Sequence, residues 1–134
     1  MSVQQQMIGS QEVSIEDDVV TCRYHGIVSL PDIIAIHRLL ETHLANNPHV
    51  YQICDMRDMT GLPSDSRAWI ATWSKTHRLS AVVIFGASLL MQVSATMVER
   101  LARVLYRTDA PPVRFFRNES DARRWVSEHR TRAM

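Results

Sequence analysis

The chain has 134 residues, 46% hydrophobic and 22% charged, with a formal net charge of +1. That is the size and composition of one globular domain, long enough to bury about two-thirds of its unfolded surface. No apolar run approaches the about 20 residues that span a bilayer, and MSVQQQMIGS lacks the basic start and apolar stretch of a secretory signal, so the sequence predicts a cytoplasmic protein without a transmembrane segment.

The near-neutral total conceals an asymmetry. Residues 1–67 hold 4 basic and 9 acidic side chains, a net −5, whereas residues 68–134 hold 11 and 5, a net +6. Arg100, Arg103, Arg107, Arg123 and Arg124 alternate with apolar residues at helical spacing. That is the pattern of solvated helix faces, so no nucleic-acid partner is expected.

Residues 1–10 read as a mobile tail ahead of a single domain over 11–131. QEVSIED alternates, with Val13 and Ile15 inward and Glu12, Ser14 and Glu16 outward, as a half-buried strand does. Glu16, Asp17 and Asp18 make a polar turn, and VVTCRYHG is the second strand of an antiparallel hairpin. Ser29 to Asp32, SLPD, reads as a capping box, in which hydroxyl and carboxylate meet free backbone N–H groups. The helix it opens carries Ile33, Ile36, Leu40 and Leu44 on one stripe and ends near Asn46-Asn47-Pro48.

VYQICDM is the third strand, closed by Asp55 and a turn, and residues 64–77 form a second helix with Trp69, Ile70 and Trp73 on one side. AVVIFG, an unbroken apolar run, suits a central parallel strand. A third and longest helix over residues 88–107 carries Val93, Met97, Leu101 and Val104, and Asp109 to Pro112 stop it. VRFF is the last strand. Asn118 caps a final helix, with Asp121 at its third position and Ala122, Trp125, Val126 and His129 inward. The order ββαβαβαβα predicts an α/β fold: an N-terminal β-hairpin, then β–α repeats, giving a mostly parallel five-stranded sheet with four helices.

Three stretches, YQICDMRDMTG, AVVIFG before the long helix, and VRFFRNESDARRWV, resemble the STAS/SEC14 group of SpoIIAA-like domains, kin of the anti-sigma-factor antagonists, over residues 11–130. The resemblance implies a non-enzymatic regulatory module that binds a protein partner near the start of the second helix. In phospho-regulated members a serine at that point follows an Asp. DSRA supplies Asp65 and Ser66, while Arg67 and Ala68 replace the family's Ser or Thr and Gly. The resemblance thus marks Ser66 as the candidate phosphoacceptor, with Asp55, Arg57, Asp58, Thr60, Ser64, Asp65 and Arg67 as the surrounding partner surface. A phosphate there gains from free N–H groups and the helix dipole; Arg57 and Arg67 would pair with it and Asp65 would oppose it. The alternative is that Ser64 caps the helix and Ser66 is an ordinary first-turn surface residue.

Met56, Met59, Met91 and Met97, with Trp69 and Trp73, leave three readings open: plain core, a pocket for a lipid-like apolar molecule beside the second and third helices, or a homodimer interface. Asp55 and Asp58 have no Ser-His-Asp order, HExxH or nucleophile elbow beside them, and Arg57 between them holds both ionised, so no catalytic residue is assigned. Four glycines assemble neither GxGxxG nor a P-loop, and no cofactor is expected. The six histidines are scattered, and Cys22 and Cys54 lack metal-ligand spacing, so no metal is expected and both thiols read as small buried hydrophobes.

Overall fold

The structure is a computed structural model and describes residues 3–89, 91–93, 96, 100 and 112–133. Strands β1 (Gln4–Ile8), β2 (Gln11–Glu16), β3 (Val19–Ile27), β4 (Tyr51–Gly61), β5 (Ala81–Phe85) and β6 (Val113–Phe116) form one sheet in chain order. The first two pairings are antiparallel and the other three parallel. Helix α1 (Leu30–Asn46) connects β3 to β4, and α2 (Ser64–Trp73) connects β4 to β5. Helical residues 89, 91–93, 96 and 100 are α3, and α4 (Glu119–Ala133) follows β6. Among the described residues, no helix is long and apolar enough to cross a membrane.

The α/β architecture and four helices match the expectation; the sheet has six strands instead of five. The added strand is β1, in the segment read as a mobile tail. It folds back on β2 through Gly9 and Ser10, with Gly9 at φ 57° supplying the left-handed turn residue. QQQMI shows no alternation, because a backbone ladder rather than a buried side-chain face orders it. The β2–β3 turn is equally short, with Asp17 at φ 54°, a conformation Asp tolerates.

Strand β4 is the second difference. Expected to close at Asp55, it runs on to Gly61 because β3 continues beside it, pairing Arg23 with Asp55, His25 with Asp58 and Ile27 with Gly61 across two register shifts. In the other direction, α2 is shorter than expected, ending at Trp73.

Side chains alternate across the sheet. One face buries Val20, Cys22, Cys54 and Ile84 against the α1 stripe of Ile33, Ile36 and Leu40. Both cysteines are free and buried there, and desolvation pushes the Cys22 thiol up to about 11. The opposite face, under α4, buries Val19, Tyr51, Ile53, Val83 and Phe85 against Ala122 and Val126. Asn118 caps α4 as expected, its side-chain Oδ1 accepting the Asp121 amide at 2.9 Å. At α1, Ser29 occupies the cap position but makes no side-chain bond.

Candidate functional site

The sequence-marked residues meet where β3, β4 and β5 end and α2 and α3 begin. Helix α2 starts at Ser64 after Pro63, so Ser64 lies inside the first turn and makes no cap. Ser64, Asp65 and Thr60 are exposed, whereas Ser66 is fully buried. The Ser66 hydroxyl donates to the Val28 carbonyl at 3.3 Å, and its amide donates to the Asp65 carboxylate at 2.8 Å. Val28 is tied in turn to β4, its amide donating to the Gly61 carbonyl at 3.0 Å. Ser66 therefore fastens the first turn of α2 to the end of β3. Arg67 is turned back on its own loop, its guanidinium donating to the Leu62 carbonyl at 2.9 Å.

Asp55 and Asp58 lie on either side of a register shift in β4 and take different partners. Asp55 accepts Arg57 Nε at 3.0 Å, Arg57 Nη2 at 2.8 Å and the Arg57 amide at 3.1 Å. Arg23 Nη1 donates to Asp55 at 3.1 Å, and the Arg23 guanidinium holds Glu119 of α4 through two bonds of 3.0 and 3.1 Å. Arg123 completes the group, donating to Glu119 at 2.8 Å and to Thr21 at 3.3 Å. Three guanidinium groups thus enclose two carboxylates. Burial works against ionised Asp55, yet the Arg57 side chain and amide and the Arg23 guanidinium outweigh it and hold the carboxyl below its usual range. The Arg23 bonds, aided by Arg123, depress Glu119 likewise. Carboxylates held ionised this firmly are poor proton donors at neutral pH. Asp58 instead reaches His25 Nδ1 at 3.4 Å, while His25 Nε2 meets Glu12 at 2.8 Å.

Arg57 bridges this network to the surface. Its guanidinium lies 5.4 Å from the Phe85 ring centre, and its stem passes over Gly86, where a Cβ would fall 2.3 Å from Arg57 Cγ. Gly86 also sits at φ 72°, so glycine serves both the turn and the close approach. Two residues on, the Ser88 hydroxyl accepts the Met91 amide at 3.2 Å and caps α3. Large apolar side chains stand exposed at these chain ends: Ile27, paired with Gly61, is 66% exposed, and Leu89, just past the α3 cap, is 78% exposed.

The Met and Trp set packs differently. Met56, Met59, Met91 and Trp73 are buried in the core beneath α1 and α2, with Trp69 half-buried against them; Met97 lies outside the described residues. The two clefts described line up with other residues, one between β1 and α1 and one between the β2–β3 turn and α4. His37 is a core participant that sequence reading passed over. It is buried between the edges of Trp69 and Trp73, with Nδ1 at 2.7 Å from the Ile33 carbonyl, and desolvation lowers it to about 4. Its place four residues after Ile33 and three before Leu40, on the apolar stripe, was the available signal. Glu119 offered none, since 96 residues separate it from Arg23.

The family model described as SpoIIAA-like matches residues 19–127. Among solved structures, an uncharacterized protein of the DUF3478 family with a SpoIIAA-like fold from Shewanella loihica PV-4 superimposes with a TM-score of 0.60 at 19% identity, covering 93% of this chain and 92% of that one. The anti-sigma factor antagonist SpoIIAA in its unphosphorylated form superimposes with a TM-score of 0.56 at 13% identity, covering 94% and 98%. At these identities the likeness is one of fold. Among curated proteins, none matches this chain.

Proposed function

This chain belongs to the SpoIIAA-like family, and from that premise we propose that it is a non-enzymatic regulatory module that binds a protein partner where β3, β4 and β5 end. The fold it shares with an anti-sigma factor antagonist supports a role in regulatory protein interaction. One observation carries the location. Ile27 and Leu89 are exposed large hydrophobes at the sheet end that also displays Arg57, Asp58, Thr60, Ser64 and Asp65. Apolar contacts within a polar rim are the composition of a recognition surface.

Ser66 is the proposed regulated position of that surface, and its burial dictates how regulation works. A phosphoryl group brings about −1.5 to −2 charges and three acceptor oxygens. It has no room at a fully buried hydroxyl bonded to Val28, so the first turn of α2 has to leave β3 to admit it. Phosphorylation then acts by reshaping the surface, and the kinase acts on a locally opened α2.

The test is quantitative affinity enrichment from the host, comparing the wild type with Ile27→Asp and Leu89→Asp and with Glu128→Ala on exposed α4 as control. A protein recovered with wild type and control but lost with both surface variants is the expected result, given unchanged circular dichroism. A binding profile identical across all four proteins would overturn the location, and no enriched protein at all would overturn the function.

A further inference from the structure

The sheet has two edges, and they differ in how they are defended. Edge strand β6 is four residues long, carries the exposed Arg114, and lies between Pro112 and Arg117. Charge, shortness and proline are the devices by which natural sheets keep their edges from pairing. Edge strand β1, Gln4–Ile8, has none of them: five residues, no charge, no proline, and four of the five exposed. Met7 is 61% exposed on it, and Val3, next to its start, is 50% exposed.

Hairpin geometry says which backbone groups are free. In a two-residue hairpin the residues flanking the loop form a hydrogen-bonded pair. Ile8 pairs with Gln11 across Gly9-Ser10, so Ile8, Gln6 and Gln4 direct their N–H and C=O groups to β2. Gln5 and Met7 direct theirs away from the sheet. Among the described residues no strand pairs with this side of β1, so two donors and two acceptors stand in a row on the edge, and a strand laid antiparallel on them satisfies all four.

We propose that the strand is β1 of a second copy of this chain, paired antiparallel about a two-fold axis at Gln6 to give a continuous twelve-stranded sheet from two six-stranded ones. The sequence is self-complementary in that register. Gln5 exchanges both backbone bonds with Met7 of the other copy, Gln6 faces Gln6 and Gln4 faces Ile8, so no like charges meet. The two Met7 side chains become diagonal neighbours on one face and cover each other. On the other face, Ile8 of one copy lies beside Gln4 of the other, at the mouth of a cleft of about 730 Å³ whose lining includes Ile15 and Leu39. Symmetry favours a second copy over an unrelated strand: isologous pairing covers the undefended edge in both molecules and leaves only the two defended β6 edges outside, so assembly stops at two. This inference is independent of the recognition surface at the other end of the fold's connections and of Ser66.

Four backbone bonds and the Met7 contact make an interface below the about 1,000 Å² of a permanent complex, so the dimer is expected to depend on concentration. Sedimentation velocity of the full chain from about 10 μM to about 1 mM is expected to show monomer giving way to dimer. Met7→Lys separates assembly from folding. In the monomer the new ammonium lies opposite Glu12, an attractive cross-strand pair, while in the dimer two like charges become diagonal neighbours. It is expected to weaken association at least about tenfold without lowering the melting temperature. Gln6→Cys fixes the register: the non-hydrogen-bonded pair on the axis brings Cα atoms to about 4.5 Å, within disulfide reach, so mild oxidation should cross-link this variant and not Arg114→Cys. A monomer throughout the range overturns the proposal, and so does a dimer that Met7→Lys leaves intact or that Gln6→Cys fails to cross-link.

Discussion

Under α1 and α2, the titratable groups His37 and Cys22 stay neutral; under α4, Arg23, Asp55 and Glu119 are ionised. His37 is enclosed by two tryptophans and held uncharged, lowered to about 4 by desolvation. Cys22, raised to about 11 by the same cause, stays a thiol. Across the sheet, Arg23, Asp55 and Glu119 keep full charges, because the guanidinium bonds outweigh or exceed the desolvation. The layers explain the difference. Two helices and the methionine-rich interior bury the first face, and there desolvation outweighs the pull of the Glu41 carboxylate on His37, whereas the α4 layer is smaller and leaves Arg23 and Glu119 each about one-third exposed. A sealed layer stabilises by excluding charge, and a partly open one by pairing it.

The largest expected effect tests the sealing itself. Leu40→Ala removes a fully buried side chain from the α1 stripe and is expected to lower stability by about 2–5 kcal/mol. Val126→Ala on α4 removes two methyl groups from the thinner layer and should cost about 1–2 kcal/mol. Urea denaturation of both variants checks the pair; equal losses would mean the two layers contribute alike and would break the comparison.

Acid titration sharpens it, because the two faces yield in different windows. The folded-state value of His37 is depressed from 6.5 to about 4, so the unfolded chain binds the proton first. Wild-type stability should therefore be intact above pH 6.5 and fall by up to about 3 kcal/mol as the pH drops from 6.5 to about 4. His37→Asn, which keeps a donor for the Ile33 carbonyl, should flatten that segment of a urea-midpoint curve. An unchanged slope would show that His37 is not neutral when buried.

The charged face responds later. Asp55→Asn removes an ionised acceptor shared by two arginines and is expected to cost about 1–3 kcal/mol at neutral pH. Because the Asp55 carboxyl is depressed in the folded state, its contribution is fully present above the ordinary value of 3.8 and disappears only as the pH falls below it. Wild type and variant should differ by a constant amount from pH 7 to pH 5 and converge in stronger acid. Convergence already near pH 6 would mean the pairings do not hold the carboxylate.

How much of this was legible beforehand follows from what kind of interaction orders each part. The α1 stripe, the alternation of QEVSIE and the Asn118 cap are written in neighbouring residues, and they appear where the spacing puts them. Strand β1 leaves no side-chain period, because its order comes from backbone pairing with β2. Charged residues at 55, 57 and 58 look like a turn when read alone; only Arg23 and His25 on the neighbouring strand make them part of β4. At the site, spacing located the start of α2 correctly but not the direction in which Ser66 points. A first-turn serine faces solvent or sheet according to which residue opens the helix, and here Pro63 precedes a helix that begins at Ser64.

Ser66→Ala is the smallest expected effect and the one that bears most closely on the proposed switch. The substitution leaves no cavity of consequence but removes the hydroxyl bonded to the Val28 carbonyl. A neutral hydrogen bond of this kind contributes about 0.5–1.5 kcal/mol net. If Ser66 fastens the first turn of α2 to β3, the loss should be local: amide hydrogen exchange at the α2 start should accelerate about tenfold, while the central strands of the sheet keep the protection set by global stability. The same opening is what a phosphoryl group on Ser66 requires. Uniform acceleration through the whole sheet would instead make Ser66 part of the global core, and exchange unchanged at the α2 start would remove the fastening on which the proposed switch depends.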